Sequence, residues 1–217
     1  MISGRATRRH LVYVLAVLPA ACAPLPRAVR APRVYRLAPE FAFAPEHPRR
    51  SWSLAISEPL AERALDTDRI AVVRRGFELL YFQGVVWSDR VPVMLQLLMV
   101  QAFLAAQALP AVGTDRDGFR PDYLLRPILH AFQVRENGPA DRTAEVALSV
   151  TLLRMPRRTI VGTRNIAAEV KVAGPALGGV VQAFDRALAR VLRELVDWTL
   201  EMGETDWQRR QTPPNLL

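Results

Sequence analysis

Residues 177–202 constrain the fold more than any other stretch. Leu177, Val181, Phe184, Leu188, Val191, Leu195, Trp198 and Met202 recur in steps of four and three. That period gathers them into one stripe along an α-helix. Arg186, Arg190, Arg193, Glu194, Asp197 and Glu201 fall on the other side. A stripe this long needs a surface. Either a partner helix supplies it, as in heptad pairs, or the rest of the chain does. Gly174-Pro175 opens the helix, and the pattern carries it to about Met202.

The chain does offer such a surface. Val146, Leu148, Val150 and Leu152 alternate with more polar neighbours, the period of a half-buried strand. Met155-Pro156-Arg157-Arg158 reads as a turn, after which Thr159–Val172 returns as the second arm of a hairpin. Upstream, Trp52, Leu54 and Ile56 alternate. Ile70–Val73 and Glu78–Phe82 form two further strands about a turn at Arg74-Arg75-Gly76. Tyr123–Val134 reads as extended, with Pro127 placing part of it at an edge or a bulge. Between these strands a second helix runs from about Val91 to Gln107. Ser88 or Asp89 is positioned to cap it, and Pro92 fits its first turn. Only Gln96 and Gln101 interrupt its apolar surface, so it is buried or joins an oligomer. A membrane span is the lesser reading, because Pro92 and two glutamines break a run already short of the about 20 residues required. Strands, helix, strands and helix in this order predict an α/β fold, a mixed sheet covered by helices.

The N-terminus has a different character. MISGRATRRH carries Arg5, Arg8 and Arg9 and no acid, and LVYVLAVLPAA (Leu11–Ala21) follows without a charge. This is the layout of a secretory leader over residues 1–21. Cys22, the single cysteine of the chain, comes next. A lone cysteine cannot form an intrachain disulfide. Its place after a small pair resembles a bacterial lipobox, in which the cysteine is lipidated and becomes the first mature residue. Pro19 stands where that motif prefers Leu, with Leu18 one place further out. An ordinary cleaved leader and an uncleaved membrane anchor are the competing readings. Thr7–Val12 also resembles a twin-arginine export signal, which leaves two export routes open. Residues 22–50 hold prolines at 24, 26, 32, 39, 45 and 48 and read as a stiff tether, with VYRL (Val34–Leu37) docking on the body. At about 3.1 Å per residue, such a tether reaches about 85 Å. The last residues, 204–217, read as a flexible tail.

The net charge of +8 comes from 29 basic residues, of which Lys171 is the only lysine. That arginine bias, with abundant Ala and Pro, reflects genome composition better than nucleic-acid binding, and export removes the chain from nucleic acid. Anionic lipid or acidic partner surfaces remain compatible with the charge. The usual catalytic constellations are missing. His47 lies in the tether, and His130 alternates with Ile128 and Phe132 as a structural strand residue. Neither G-x-S-x-G nor H-E-x-x-H occurs. GPALGGV (Gly174–Val180) lacks the Lys-Ser/Thr of a phosphate-binding loop. Asp115, Asp117 and Asp122 share a loop without the calcium-site spacing, so a solvated turn is preferred over a metal. No cofactor and no enzymatic activity are expected. Arg154, Arg157, Arg158 and Arg164 cluster around the hairpin, either as a solvated turn or as a contact for lipid headgroups or an acidic partner.

The whole order of motifs resembles the ABC-type transport auxiliary lipoproteins. It comprises Cys22, the proline-rich tether, VYRL, IAVVRRGFELLYFQGVVWSDRVPVMLQLLMVQAFL (Ile70–Leu104), DYLLRPILHAFQV (Asp122–Val134), the hairpin and FDRALARVLRELVDW (Phe184–Trp198). The resemblance covers about residues 34–203. Arg75, Trp87, Tyr123 and Trp198 fall on its structural positions. Arg74 replaces the Tyr of a frequent Tyr-Arg pair, and Val86 stands where a basic residue is frequent. These departures bear on the subfamily and the partner surface.

The resemblance implies a three-layer α/β/α sandwich with a mixed sheet of about five strands, similar to anticodon-binding domains, over residues 51–203. It also implies a lipoprotein of a Gram-negative envelope that serves intermembrane phospholipid transport. The implied partners are a mammalian-cell-entry-domain protein, the permease and ATPase of an ABC system, the membrane through the anchor, and further copies of this chain. Ala23 is not the Asp associated with inner-membrane retention, which favours the periplasmic face of the outer membrane. A standalone envelope scaffold or binding lipoprotein is the competing function.

Overall fold

Long alternating strands build the sheet, and several very short ones complete it. A computed structural model of the chain describes residues 31–41, 43, 47–138 and 141–211. Cys22 and the leader lie outside the described residues. The elements are β1 (Arg33–Tyr35), β2 (Leu54–Ile56), β3 (Leu60–Ala61), β4 (Arg69–Arg74), β5 (Glu78–Trp87), α1 (Val91–Ala106), β6 (Val112–Thr114), β7 (Tyr123–Gly138), β8 (Asp141–Arg154), β9 (Thr159–Lys171) and α2 (Leu177–Gln211).

β7 is the organising strand. Antiparallel β8 pairs along it from Tyr123↔Arg154 to Gly138↔Asp141, and β9 pairs with β8. Three short parallel strands share the other edge of β7 in succession: β2 at Tyr123–Leu125, β3 at Ile128–Leu129 and β4 at Gln133–Glu136. Antiparallel β5 extends the sheet from β4, β1 adds in parallel to β5, and β6 adds in parallel to β2. The sheet is therefore nine-stranded among the described residues, which corrects the expected five. One long strand is served by several short ones, and pieces of two or three residues are too brief to show a period.

The layer count is corrected as well. Ala144, Val146, Leu148, Val150 and Leu152 of β8 are buried, as are Ile166 and Val170 of β9. The intervening side chains form a polar ladder on the opposite face. His130 Nε2 meets Ser149 Oγ at 2.6 Å, Ser149 Oγ donates to Asn165 Oδ1 at 2.7 Å, and Thr151 meets Thr163 at 3.3 Å. Arg135 bridges Glu145 and Glu169 there. A helix laid on that face would find little to bury. Both helices pack on the apolar face instead, touching each other, so the fold has two layers rather than three.

α2 buries Val180, Ala183, Phe184, Ala187, Leu188, Val191, Leu192, Leu195, Val196, Thr199, Leu200 and Gly203. This stripe is broader than a coiled-coil seam, and the chain's own sheet fills it. The helix does not stop near Met202 but continues to Gln211, so residues 204–211 are helical and not a tail. Residues 33–41, 43 and 47–50 are likewise part of the body. Leu37 is 2% exposed, Phe41 and Phe43 pack against the core, Ala38 N donates to Asp185 Oδ1 at 2.8 Å, and His47 Nε2 lies 3.2 Å from Asp197. VYRL docks as expected, and the body begins near Arg33 rather than Ser51. Arg90, not Ser88 or Asp89, is the N-cap residue of α1; its guanidinium is held by Glu58 and Asp66 while Asp89 accepts only its backbone N–H.

Candidate functional site

The four family-motif residues occupy separate places. Arg75 sits at the exposed tip of the β4–β5 hairpin with φ 53°, and Gly76 follows at φ 80°. Trp87 ends β5 inside the core, edge-on to Phe132 (5.8 Å) and Phe184 (5.3 Å), and these two rings stack on each other at 4.7 Å. Trp198 crosses β9 at Gly162, where a Cβ would come within 3.4 Å of the indole. Tyr123 begins β7 and donates its hydroxyl to Asp206 Oδ2 at 2.8 Å. Burial first, and then the bond to Asp206, pushes the Tyr123 phenol well above its ordinary range, which keeps it a donor. Trp52 stands edge-on to Tyr123 at 5.0 Å and donates Nε1 to Glu204 at 3.2 Å.

The hairpin arginines do not form one cluster. Arg154 Nη1 donates to Asp206 Oδ1 at 2.9 Å, and Arg164 Nη2 donates to Glu194 at 2.8 Å, so both are tied to α2. Arg157 is exposed in the turn, and Arg158, with φ 54°, lines a cavity of about 740 Å³. Ala55, Leu124 and Leu153 alternate with core residues, so they face away from the helices. There they form a small apolar cluster with Phe119 and Met155. The cavity opens over part of that cluster, between the loop 114–122 and the turn 155–158, and Arg120, Arg158 and Arg210 stand around it.

The three loop aspartates are structural. Asp117 accepts from Thr114 N (2.6 Å) and Thr114 Oγ1 (2.8 Å), which holds its carboxyl below the usual range. Asp122 accepts from Ser53 N and Oγ at 2.8 Å each, and Asp115 accepts from Gln96 Nε2 at 3.3 Å. Among the described residues, no group of three or more His, Cys, Asp or Glu is placed to hold a metal. His130 belongs to the cross-strand ladder.

Two features escaped sequence reasoning. Asp206 joins Tyr123 to Arg154, and Arg210 reaches the cavity. Both extend the helical spacing beyond Met202, at positions 206 and 210, a signal obscured by Gly203. α1 also keeps an apolar strip at its surface: Leu97 is 49% and Leu104 is 55% exposed, with Val100 half-buried between them and Val93 half-buried one turn before Leu97.

The family model described as ABC-type transport auxiliary lipoprotein component matches residues 35–196. The crystal structure of a Xanthomonas campestris protein of the DUF330 family superposes with a TM-score of 0.76 at 29% identity, covering 81% of this chain and 98% of that one. A second crystal structure, of an uncharacterized protein, shares the fold with a TM-score of 0.60 at 12% identity, covering 77% and 97%. An uncharacterized protein of Bradyrhizobium diazoefficiens is 28% identical over 150 residues, which are 69% of this chain and 40% of that protein. The chain thus spans less than half the length of that relative.

Proposed function

The chain belongs to the ABC-type transport auxiliary lipoprotein family, and from that premise we propose that it is the outer-membrane-anchored accessory lipoprotein of an intermembrane phospholipid transport system. Membership alone gives a lipoprotein component of a Gram-negative envelope. The finer reading adds Cys22 as the acylated first residue, attachment to the periplasmic face of the outer membrane, and docking to a mammalian-cell-entry-domain protein and its ABC permease and ATPase. In this reading the body docks and braces; it does not catalyse.

The carrying observation is the family match from residue 35 to 196 on a chain whose only cysteine follows an arginine-bearing start, an uncharged apolar run and a small-residue pair. The apolar strip of α1 supports a docking role, because scattered single apolar residues are normal at a surface while an aligned strip is less so.

The test is Cys22→Ser in the native host. A single acyl chain binds membranes marginally and several bind stably, each buried CH₂ contributing about 0.8 kcal/mol. The wild type should yield an N-terminal peptide starting at Cys22 with fatty acid attached, by mass spectrometry. It should also co-purify with transporter components from detergent extracts. The variant should leave the membrane with its fold intact, as its circular dichroism would report. A mature terminus at Ala23 or beyond without lipid would overturn the anchor. Purification free of any transporter component would overturn the docking role.

A further inference from the structure

The cavity beside the β8–β9 turn combines two surfaces that do not ordinarily meet on a solvated loop. Its floor is hydrocarbon: Ala55 and Leu124 are almost wholly buried, and Phe119 and Met155 pack on the same cluster. Its surround is cationic. Arg120, Arg158 and Arg210 have no carboxylate within ion-pair distance among the described residues. Arg154 and Arg164, on neighbouring positions, are both paired. The two carboxylates in the lining are oriented by neutral donors, Asp122 by Ser53 and Asp115 by Gln96, so three guanidiniums face two carboxylates there. Arg158 reaches the cavity from a left-handed backbone conformation that a residue with a side chain seldom adopts. A volume of about 740 Å³ is that of a small-molecule site.

An occupant must match both surfaces. A free anion leaves the apolar floor wet, and a neutral hydrocarbon leaves three guanidiniums without an anionic partner. Guanidinium forks match phosphate oxygens in a bidentate manner. We propose that this cavity binds a single phospholipid molecule of anionic headgroup, with the phosphate between Arg120, Arg158 and Arg210 and the start of an acyl chain on Leu124 and Phe119. This gives the body a direct lipid contact. It goes beyond the docking role and does not rest on it, since binding needs no transporter.

The experiment titrates the purified full chain with monomeric lysophosphatidylglycerol carrying a fluorescent acyl chain, below its micelle concentration. Saturable binding of one lipid per chain is expected. The double variant Arg120→Gln/Arg158→Gln should weaken it at least tenfold. Arg164→Gln, which removes a paired arginine outside the cavity, should leave it unchanged. Both changes lie at exposed positions, and circular dichroism confirms that each variant folds. Inorganic phosphate should compete only at far higher concentration. Three outcomes overturn the proposal: no saturable binding, an equal loss in Arg164→Gln, which marks non-specific charge attraction, or inorganic phosphate binding as tightly as the lipid, which marks a plain anion site.

Discussion

A methyl group added at position 203 would have no room. Its carbon would lie 2.6 Å from Trp52 Cζ2 and 2.7 Å from Cη2. Trp52 cannot easily yield, since its ring is buried against Tyr123 and its Nε1 is held by Glu204. Ala would gain about 1 kcal/mol over Gly in a helix interior, whereas overpacking a core costs about 1–3 kcal/mol. Gly203→Ala should therefore lower the unfolding free energy despite its better propensity, by up to about 2 kcal/mol in a urea titration; a gain would show that the indole moves aside. Asp185 offers a test of opposite sign. Burial raises its pKa, against the opposing hydrogen bond from Ala38 N–H. The folded chain thus holds this proton more tightly than the unfolded one, and stability falls as pH rises from the unfolded pKa through the folded one. Asp185→Asn keeps an acceptor for Ala38 and removes the half-buried charge. It should be more stable than the wild type at pH 7, and the difference should close as pH falls below about 3.9, the ordinary value for Asp. Urea midpoints at the two pH values check this.

Among the elements, α2 depends on its distal turns being pinned to the sheet. Asp206 alone accepts from both Tyr123 of β7 and Arg154 of β8. Asp206→Ala leaves two donors without their acceptor, at a cost of about 2–3 kcal/mol. Hydrogen exchange should show residues 204–211 losing protection while β8 keeps its own. Why this turn was illegible in the sequence is physical. Gly203 has the appearance of a helix stop, and only the packed structure shows that it is a close approach to Trp52. Ala183 and Ala187 are similarly too small to mark the stripe they help form. Of the long strands, β8 announced itself by alternation, β7 as an extended run and β9 as the arm returning after a turn; β1, β3 and β6 are too short to show a pattern. The same alternation, with Thr143, Glu145, Ser149 and Thr151 on one side of β8, pointed to one solvated face, and the third layer entered from the family likeness alone. For the arginines, residue type was legible but pairing was not, because Arg154 finds Asp206 across 52 positions and Arg164 finds Glu194 across 30. The cavity gathers Ala55, a loop, a turn and a helix end, and such a convergence exists only after folding.

For the molecule as a whole, the first strand decides where the folded body starts. A chain beginning at Ala31 retains β1 and the burial of Leu37, whereas one beginning at Ser51 loses both together with the packing of Tyr35 and Phe41. At about 1.5–3 kcal/mol for a fully buried large side chain, the shorter chain should be less stable by about 3–5 kcal/mol and melt roughly 10 °C lower; equal melting temperatures would mean that β1 only decorates the sheet edge. The four tryptophans carry a different consequence, an optical one. Trp52 and Trp87 are sealed in the core, and Trp198 is pressed on β9. Trp207 is only half-buried, and the guanidinium of Arg210 stands 5.1 Å from its ring centroid. A charge held over an indole tunes the colour of its emission, so whatever draws Arg210 toward the cavity also recolours Trp207. The two sealed indoles supply a constant background. The chain carries its own fluorescent reporter beside Arg210, a residue that lines the cavity, and Trp207→Phe silences that reporter alone.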